Sequence, residues 1–204
     1  MGRPETDFSL QQALFALGNG LYQARRLQES LDIYKSCLAI LGREGHAENS
    51  LMCNSIRVNI ANCYGELGKH LEALPVYRDV YTLNRRAYGE EDSLDSALAL
   101  SIALVNAENF REAKKFISAQ LHICQRLHGA DDLLTLRLRQ TYAIALSADS
   151  NALEDLIEAE ATLADVYRVM RRVLGDTHYD TQHVQNVALP GIRKILASAR
   201  AAQL

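Results

Sequence analysis

Tryptophan is absent, proline occurs three times and glycine eleven times in 204 residues. Runs of β-branched residues are rare as well. A sheet protein of this length needs frequent turn residues and β-branched or aromatic strands, so these shortages disfavour an all-β fold. Charge of one sign is also scarce. Lys+Arg number 22 against 25 Asp+Glu, leaving a formal charge of −3 and a pI near 6.1. That balance weighs against a nucleic-acid binder, and no basic track carries interleaved aromatics. The longest apolar run, Ala97–Val105, is interrupted by Ser101 and is too short to span a bilayer as a helix. Met1-Gly2-Arg3-Pro4-Glu5-Thr6 has no apolar stretch of signal-peptide type. It fits the loose myristoylation pattern, although a charged residue directly after the glycine is unfavourable for that modification.

Apolar residues make up 48% and charged residues 23%, the composition of a folded chain rather than a disordered one. Cys37, Cys53, Cys63 and Cys124 are scattered and form no Cys-x-x-Cys pair, so neither a disulfide framework nor a ribbon-type zinc site is expected. Cys124 and His128 share a helical spacing, and a buried thiol beside a helix-end histidine accounts for them without a metal. Reduced core thiols point to a reducing, cytoplasmic compartment. No Gly-x-Ser-x-Gly, phosphate-binding glycine loop or His-Glu-x-x-His occurs. His178 and His183, beside Asp176 and Asp180, are a second grouping that an acid–base or metal reading could use. The expectation is a non-enzyme without a cofactor.

What is present is a repeat. Leu27-Gln28-Glu29-Ser30, Leu71-Glu72-Ala73, Arg111-Glu112-Ala113 and Ile157-Glu158-Ala159 place a glutamate before a small residue, at successive spacings of 43, 40 and 46. Gly89, Gly129 and Gly175 follow the last three small residues at a constant distance of 16. Two markers that keep step make coincidence a poor account. The longer last spacing implies an insertion near Asp149–Asp155, and the first unit has a longer connection through Arg43-Glu44-Gly45-His46. In this alignment His178 takes the connector position that Asp92 and Asp132 fill elsewhere, which explains it without chemistry.

Each unit reads as two antiparallel helices. Leu51, Ile56, Ile60, Ala61, Tyr64 and Leu67 recur at three- and four-residue steps, the helical period. The pattern predicts helices near 6–23, 27–42, 48–67, 70–88, 93–107, 110–128, 133–148, 153–174 and 179–202. Gly68 and Gly89 should end their helices in left-handed geometry. Asp92 and Asp132 should cap the helices that follow them. Pro75 should bend its helix slightly, and Pro190-Gly191 should kink or break the last one. Small residues at matched positions, Gly18, Ala61, Ser101 and Thr141 against Ser30, Ala73, Ala113 and Ala159, let paired axes approach closely. Arg193, Lys194, Arg200 and Gln203 suit the last helix to close the stack.

Asn59-Ile60-Ala61-Asn62-Cys63-Tyr64-Gly65-Glu66-Leu67-Gly68-Lys69, continuing Leu71-Glu72-Ala73-Leu74-Pro75-Val76-Tyr77, resembles a tetratricopeptide repeat of the kinesin-light-chain type. Leu174-Gly175-Asp176-Thr177-His178-Tyr179-Asp180-Thr181 is similar to that family's connector, with Tyr179 in place of its proline. The resemblance spans about residues 10–180. It implies an all-α, right-handed α-solenoid of about four antiparallel helix pairs plus a C-terminal capping helix. The expected organisation is one domain over 1–204, with units near 8–46, 47–91, 92–131 and 132–177 and a cap over 178–204. The resemblance also implies a concave face that binds peptides or partner helices, and no catalysis. No heptad region of a kinesin light chain is present, so a role as a kinesin subunit does not follow.

Carried over position by position, the family's groove places Phe15, Asn19, Tyr22, Val58, Asn59 and Asn62 in the N-terminal half. It places Leu98, Ile102, Leu138, Arg139 and Tyr142 in the C-terminal half, with Val105 and Ala145 farther along. The asparagines either bond the backbone of an extended peptide or merely bridge neighbouring helices. The apolar residues either meet a partner's segment or the chain's own C-terminal helix, or are ordinary core. The carboxylate clamp of chaperone-binding relatives keeps two of five places in either reading frame, Asn19 and Asn59 or Asn62 and Arg139, and no lysine. Without its cations that clamp cannot hold a buried carboxylate, so a chaperone-tail receptor is not expected. Arg137 and Arg139 remain candidates to attract an acidic ligand residue. The functional expectation is an adaptor or scaffold binding a protein or peptide. The alternatives are a fixed subunit of a larger protein complex, or a homo-oligomer joined through the apolar half of the groove.

Overall fold

The computed structural model describes residues 4–43, 50–149 and 152–202, with side chains described from Leu10 onward. Glu44-Gly45-His46, the start of the helix expected at 48, part of the insertion near Asp149–Asp155, the first three residues of the myristoylation pattern and the capping Gln203 lie outside those residues. Among the described residues the secondary structure is helical throughout, without strands. The chain divides into two compact units, Met1–Gly89 and Glu90–Leu204.

The first unit contains α1 (Pro4–Gln23), α2 (Leu27–Arg43), α3 (Leu51–Glu66) and most of α4 (His70–Asp92). Helix α2 is packed between α1 and α3. Its Leu31, Tyr34, Cys37 and Leu41 meet Cys53, Ile56, Ile60 and Cys63 of α3, while Leu14 and Phe15 close over them from α1. Gly18 and Ser30 act as expected. A Cβ on Gly18 would stand 2.6 Å from the Tyr34 ring. Ser30, opposite, donates from Oγ to the Gly18 carbonyl at 2.8 Å, so the hydroxyl is satisfied inside the tight crossing.

The second unit contains α5 (Leu94–Asn106), α6 (Phe110–His128), α7 (Leu133–Asp149), α8 (Leu153–Leu174), α9 (Tyr179–His183) and α10 (Leu189–Ala201). Here α8 is the central helix. Ala159, Leu163, Val166 and Met170 pack against Leu136, Ala143 and Leu146 of α7 on one side. On the other side they meet Val184, Ala188, Leu189 and Ile192 of the C-terminal segment. That segment therefore closes the apolar stripe of α8, as the expected cap does, and Arg193 pairs with Glu160 of α8 at 2.8 Å.

Two turns recur. At Arg25, Gly68 and Glu108 the backbone is left-handed, with φ of 60°, 72° and 57°. The next amide in each case donates to a carbonyl five residues back: Arg26 to Leu21, Lys69 to Tyr64 and Asn109 to Leu104. Gly89, Gly129 and Gly175 have φ of 89°, 92° and 87°. Their ψ lies near 180° (−168°, 172° and 168°), an extended region that only glycine adopts cheaply, rather than the left-handed helix expected at Gly89.

Two local expectations are corrected. Asp132 caps α7, accepting from the Leu134 and Thr135 amides at 2.9 and 3.4 Å, and His178 Nδ1 accepts from the Asp180 amide at 3.2 Å. Asp92 does not cap α5: helical geometry resumes after Gly89 and carries it to the end of α4, and Ser93 precedes α5 with its hydroxyl turned back to the Glu90 carbonyl. The break in the last helix lies before Pro190-Gly191, as a π-helical turn over Val184–Ala188. Proline cannot bond to, and clashes with, the carbonyl four residues earlier. Widening the preceding turn removes that conflict, and the Leu189 amide bonds five residues back to Val184.

Candidate protein-binding surface

In each unit a hollow gathers several of the candidate residues. In the first unit a cavity of about 280 Å³ lies among Phe15 of α1, Leu51, Asn54, Val58 and Asn59 of α3, and Val80 and Asn84 of α4. Phe15, Val58 and Asn59 are thus brought together as the resemblance implies. Asn54 and the α4 wall were not anticipated. Asn54 Nδ2 donates to Asn84 Oδ1 at 2.7 Å and Arg57 donates to Asn54 Oδ1 at 3.2 Å, so one carboxamide joins α3 to α4. No sequence pattern marks them: Asn54 shares its helix face with the exposed Leu51, and Asn84 with the exposed Tyr88.

Asn19 and Asn62 stand beside this hollow as helix bridges. Tyr34 donates to Asn19 Oδ1 at 2.6 Å, and Tyr77 donates to Asn62 Oδ1 at 2.5 Å, each tyrosine fifteen residues after its asparagine. Asn59 Nδ2 also donates to Asn19 Oδ1, at 3.2 Å. The bridging alternative therefore describes these oxygens. Burial pushes the Tyr77 hydroxyl up to about 12 and raises that of Tyr34. Tyr22 is half-buried against the α2–α3 core, and burial with the nearby Glu66 carboxylate raises its hydroxyl too.

In the second unit the hollow holds about 450 Å³. Helix α5 contributes Leu98, Ile102, Val105 and Asn106. Helix α7 contributes Arg137, Gln140, Thr141 and Ile144, and α9 contributes Tyr179, Asp180 and His183. Leu98, Ile102 and Val105 stand where expected, and Ile102 is 44% exposed. The three α7 residues do not. Leu138 is fully buried. Arg139 turns to Asp165 of α8 at 2.8 Å, and its hydrogen bonds hold that carboxyl below its usual range. Tyr142 packs on the core between α7 and α8. The physical reason is geometric: the hollow lies between neighbouring first helices, so it meets one flank of α5 and the opposite flank of α7. One shared set of repeat positions cannot describe both flanks.

The C-terminal segment forms a wall of this hollow and does not fill it. Asp180, largely buried, receives Arg137 through both carboxylate oxygens, at 3.1 and 2.8 Å. That bond keeps the guanidinium charged beyond its ordinary range. Gln140 Nε2 lies 3.0 Å from His183 Nδ1, and the His183 ring stacks with Tyr179. Both arginines named as attractors for acidic ligands are therefore engaged by the protein's own carboxylates. Cys37, Cys53, Cys63 and Cys124 are buried thiols outside any disulfide, and burial raises the Cys63 and Cys124 thiols. Among the described residues no three His, Cys, Asp or Glu side chains are placed to share a metal ion, and no helix is long and apolar enough to cross a membrane.

Residues 55–95 match the family model described as tetratricopeptide repeat. The fold is tetratricopeptide-like. A crystal structure of nearly identical TPR-like repeats, described as a kinesin light chain of Podosopora anserina, superimposes with a TM-score of 0.69. The two are 18% identical, and the likeness covers 100% of this chain and 97% of that one. A single-residue variant of the same repeats gives 0.70 at 17% identity, over 96% and 95% of the two chains. BtubC (BKLC) of P. vanneervenii gives 0.70 at 13% identity, over 98% of this chain and 83% of that one. No curated protein matches the sequence. The tetratricopeptide-like fold, and its likeness to kinesin-light-chain TPR-like repeats, agree with the resemblance carried by residues 59–77 and 174–181. Folds of this type mediate protein–protein interaction.

Proposed function

We propose that the chain is a non-enzymatic interaction module that holds a peptide segment or helix of a partner protein in its hollows. The observation that carries this reading is the open hollow of the second unit, whose wall includes the exposed Ile102 and which the C-terminal segment borders without occupying. Apolar surface gathered in a concavity is stabilised by a partner that removes it from water. In the first unit the carboxamide oxygens of Asn19 and Asn62 are taken by tyrosines, so their amide N–H groups are what a ligand's backbone carbonyls meet. A motif binder of this kind has a Kd on the micromolar scale, roughly −8 kcal/mol.

A second reading, a fixed subunit of an assembly, is favoured by apolar residues exposed on the C-terminal segment, Val187 and Ile195. Panning a library of random displayed peptides on the purified chain tests the first reading. Selected peptides should bind Phe15→Ala/Asn59→Ala or Ile102→Asp at least tenfold more weakly. Failure to select any peptide, or selected peptides indifferent to both variants, would sink it. A chain that purifies only as an aggregate would support the second.

A further inference from the structure

We infer that Tyr179 is the anchoring residue of the second unit's hollow and that the hollow takes an uncharged aliphatic or aromatic side chain of a partner peptide. This inference deepens the interaction reading above and rests on it. Tyr179 opens α9 and is 74% exposed, although a tyrosine ring gains from removal from water. It lines the hollow, and its position is set from below. Its ring lies 6.1 Å from that of His183 at an interplanar angle of 28°. Gln140 of α7 holds His183, Arg137 holds Asp180, and His178 caps the turn that delivers all three. An aromatic already held in place contributes contact area without the cost of ordering it, the character of an interface hot spot.

The charges decide the occupant. The ionised residues of the lining are Arg137 and Asp180, and they neutralise each other in a bidentate pair. A ligand carboxylate entering here would be desolvated without an unpaired cation, and a ligand ammonium without an unpaired anion. What remains is the apolar flank of α5, Ile144 and the Tyr179 ring, with neutral amides at the edge. At about 450 Å³ the hollow is large enough for a bulky side chain and the peptide backbone on either side of it.

The test uses the random displayed-peptide library as probe, with the intact chain and its Tyr179→Ala, Tyr179→Phe and Arg137→Gln variants. Because Tyr179 is exposed, circular dichroism and melting of both Tyr179 variants should match the wild type. Peptides selected on the wild type should share one apolar position. Asp at that position should weaken binding at least tenfold, as should Tyr179→Ala, while Tyr179→Phe should retain binding. Peptides that bind Tyr179→Ala as tightly as wild type but lose Phe15→Ala/Asn59→Ala place the ligand in the first unit. That result overturns this inference and leaves the interaction reading standing. A shared acidic position that depends on Arg137 overturns it too, as does a dimer dissolved by Tyr179→Ala, which makes a second copy the occupant. If the wild type selects nothing, the interaction reading fails and this inference falls with it.

Discussion

The same position is solved in two ways in the two units. In the first, Asn19 and Asn62 face Tyr34 and Tyr77 across each helix pair, and a hydrogen bond joins them. In the second, the corresponding residues fifteen apart are Ile102 and Ile117: Ile117 is fully buried and Ile102 opens onto the hollow. A polar bridge spends its acceptor on the fold and gives direction to the crossing. Apolar residues make no directional demand, and the outer one is left available to another molecule. The repeat therefore conserves spacing and helix approach while the chemistry of its face changes along the chain.

Truncating the apolar partner should cost most. Ile117→Ala should lose about 3 kcal/mol in a urea melt, because the site is closed on all sides and cannot collapse. The pH response should then separate the units. Unfolded tyrosine releases its proton near 10, whereas folded Tyr77 keeps it to about 12, and Tyr34 and Tyr22 shift the same way. Between those values the folded state binds more protons, so stability is full below pH 10 and falls as pH rises towards 12. The Tyr77 share is on the order of 2 kcal/mol. Hydrogen exchange should show the first unit loosening before the second, and Tyr77→Phe should flatten the slope. An equal response in the two units, or none, would contradict the assignment.

Removing a cation from the second hollow should have a local effect. Arg137→Ala leaves the Asp180 carboxylate largely buried and without its partner, at a cost of about 2 kcal/mol. Exchange at the α9 amides should rise while α6 stays protected. Tyr34→Phe deletes the bridge to Asn19 and should cost about 1 kcal/mol in thermal melting. Ser101→Ala, at the small-residue position of the second unit, removes only a bond to the Ala97 carbonyl within its own helix and should change stability by less than about 0.5 kcal/mol. By contrast Gly18→Ala drives a Cβ into the Tyr34 ring and should cost about 2 kcal/mol.

Much of the fold is readable without coordinates. The helices at 110–128 and 153–174 appear at the expected residues, and the ends at Gly68, Gly129 and Gly175 follow from glycine's access to positive φ. Asp132 and His178 perform the same capping task at matching connector positions. The candidate site is less legible. Phe15, Val58, Asn59, Leu98 and Ile102 reach hollows, but Leu138 is buried in the core and Arg139 and Tyr142 turn to α8, because a periodic alignment treats both flanks of a helix alike.

Helix positions, turn chemistry and the repeat spacing depend on contacts within a few residues, so periodicity, glycine and cap residues in the chain suffice to specify them. Partners more than forty residues apart, such as Arg137 with Asp180 or Gln140 with His183, depend on how far each helix is rotated as it packs. A small rotation exchanges a core residue for a surface one. That angle is set by the shapes of many side chains meeting at once, which no single stretch of sequence contains.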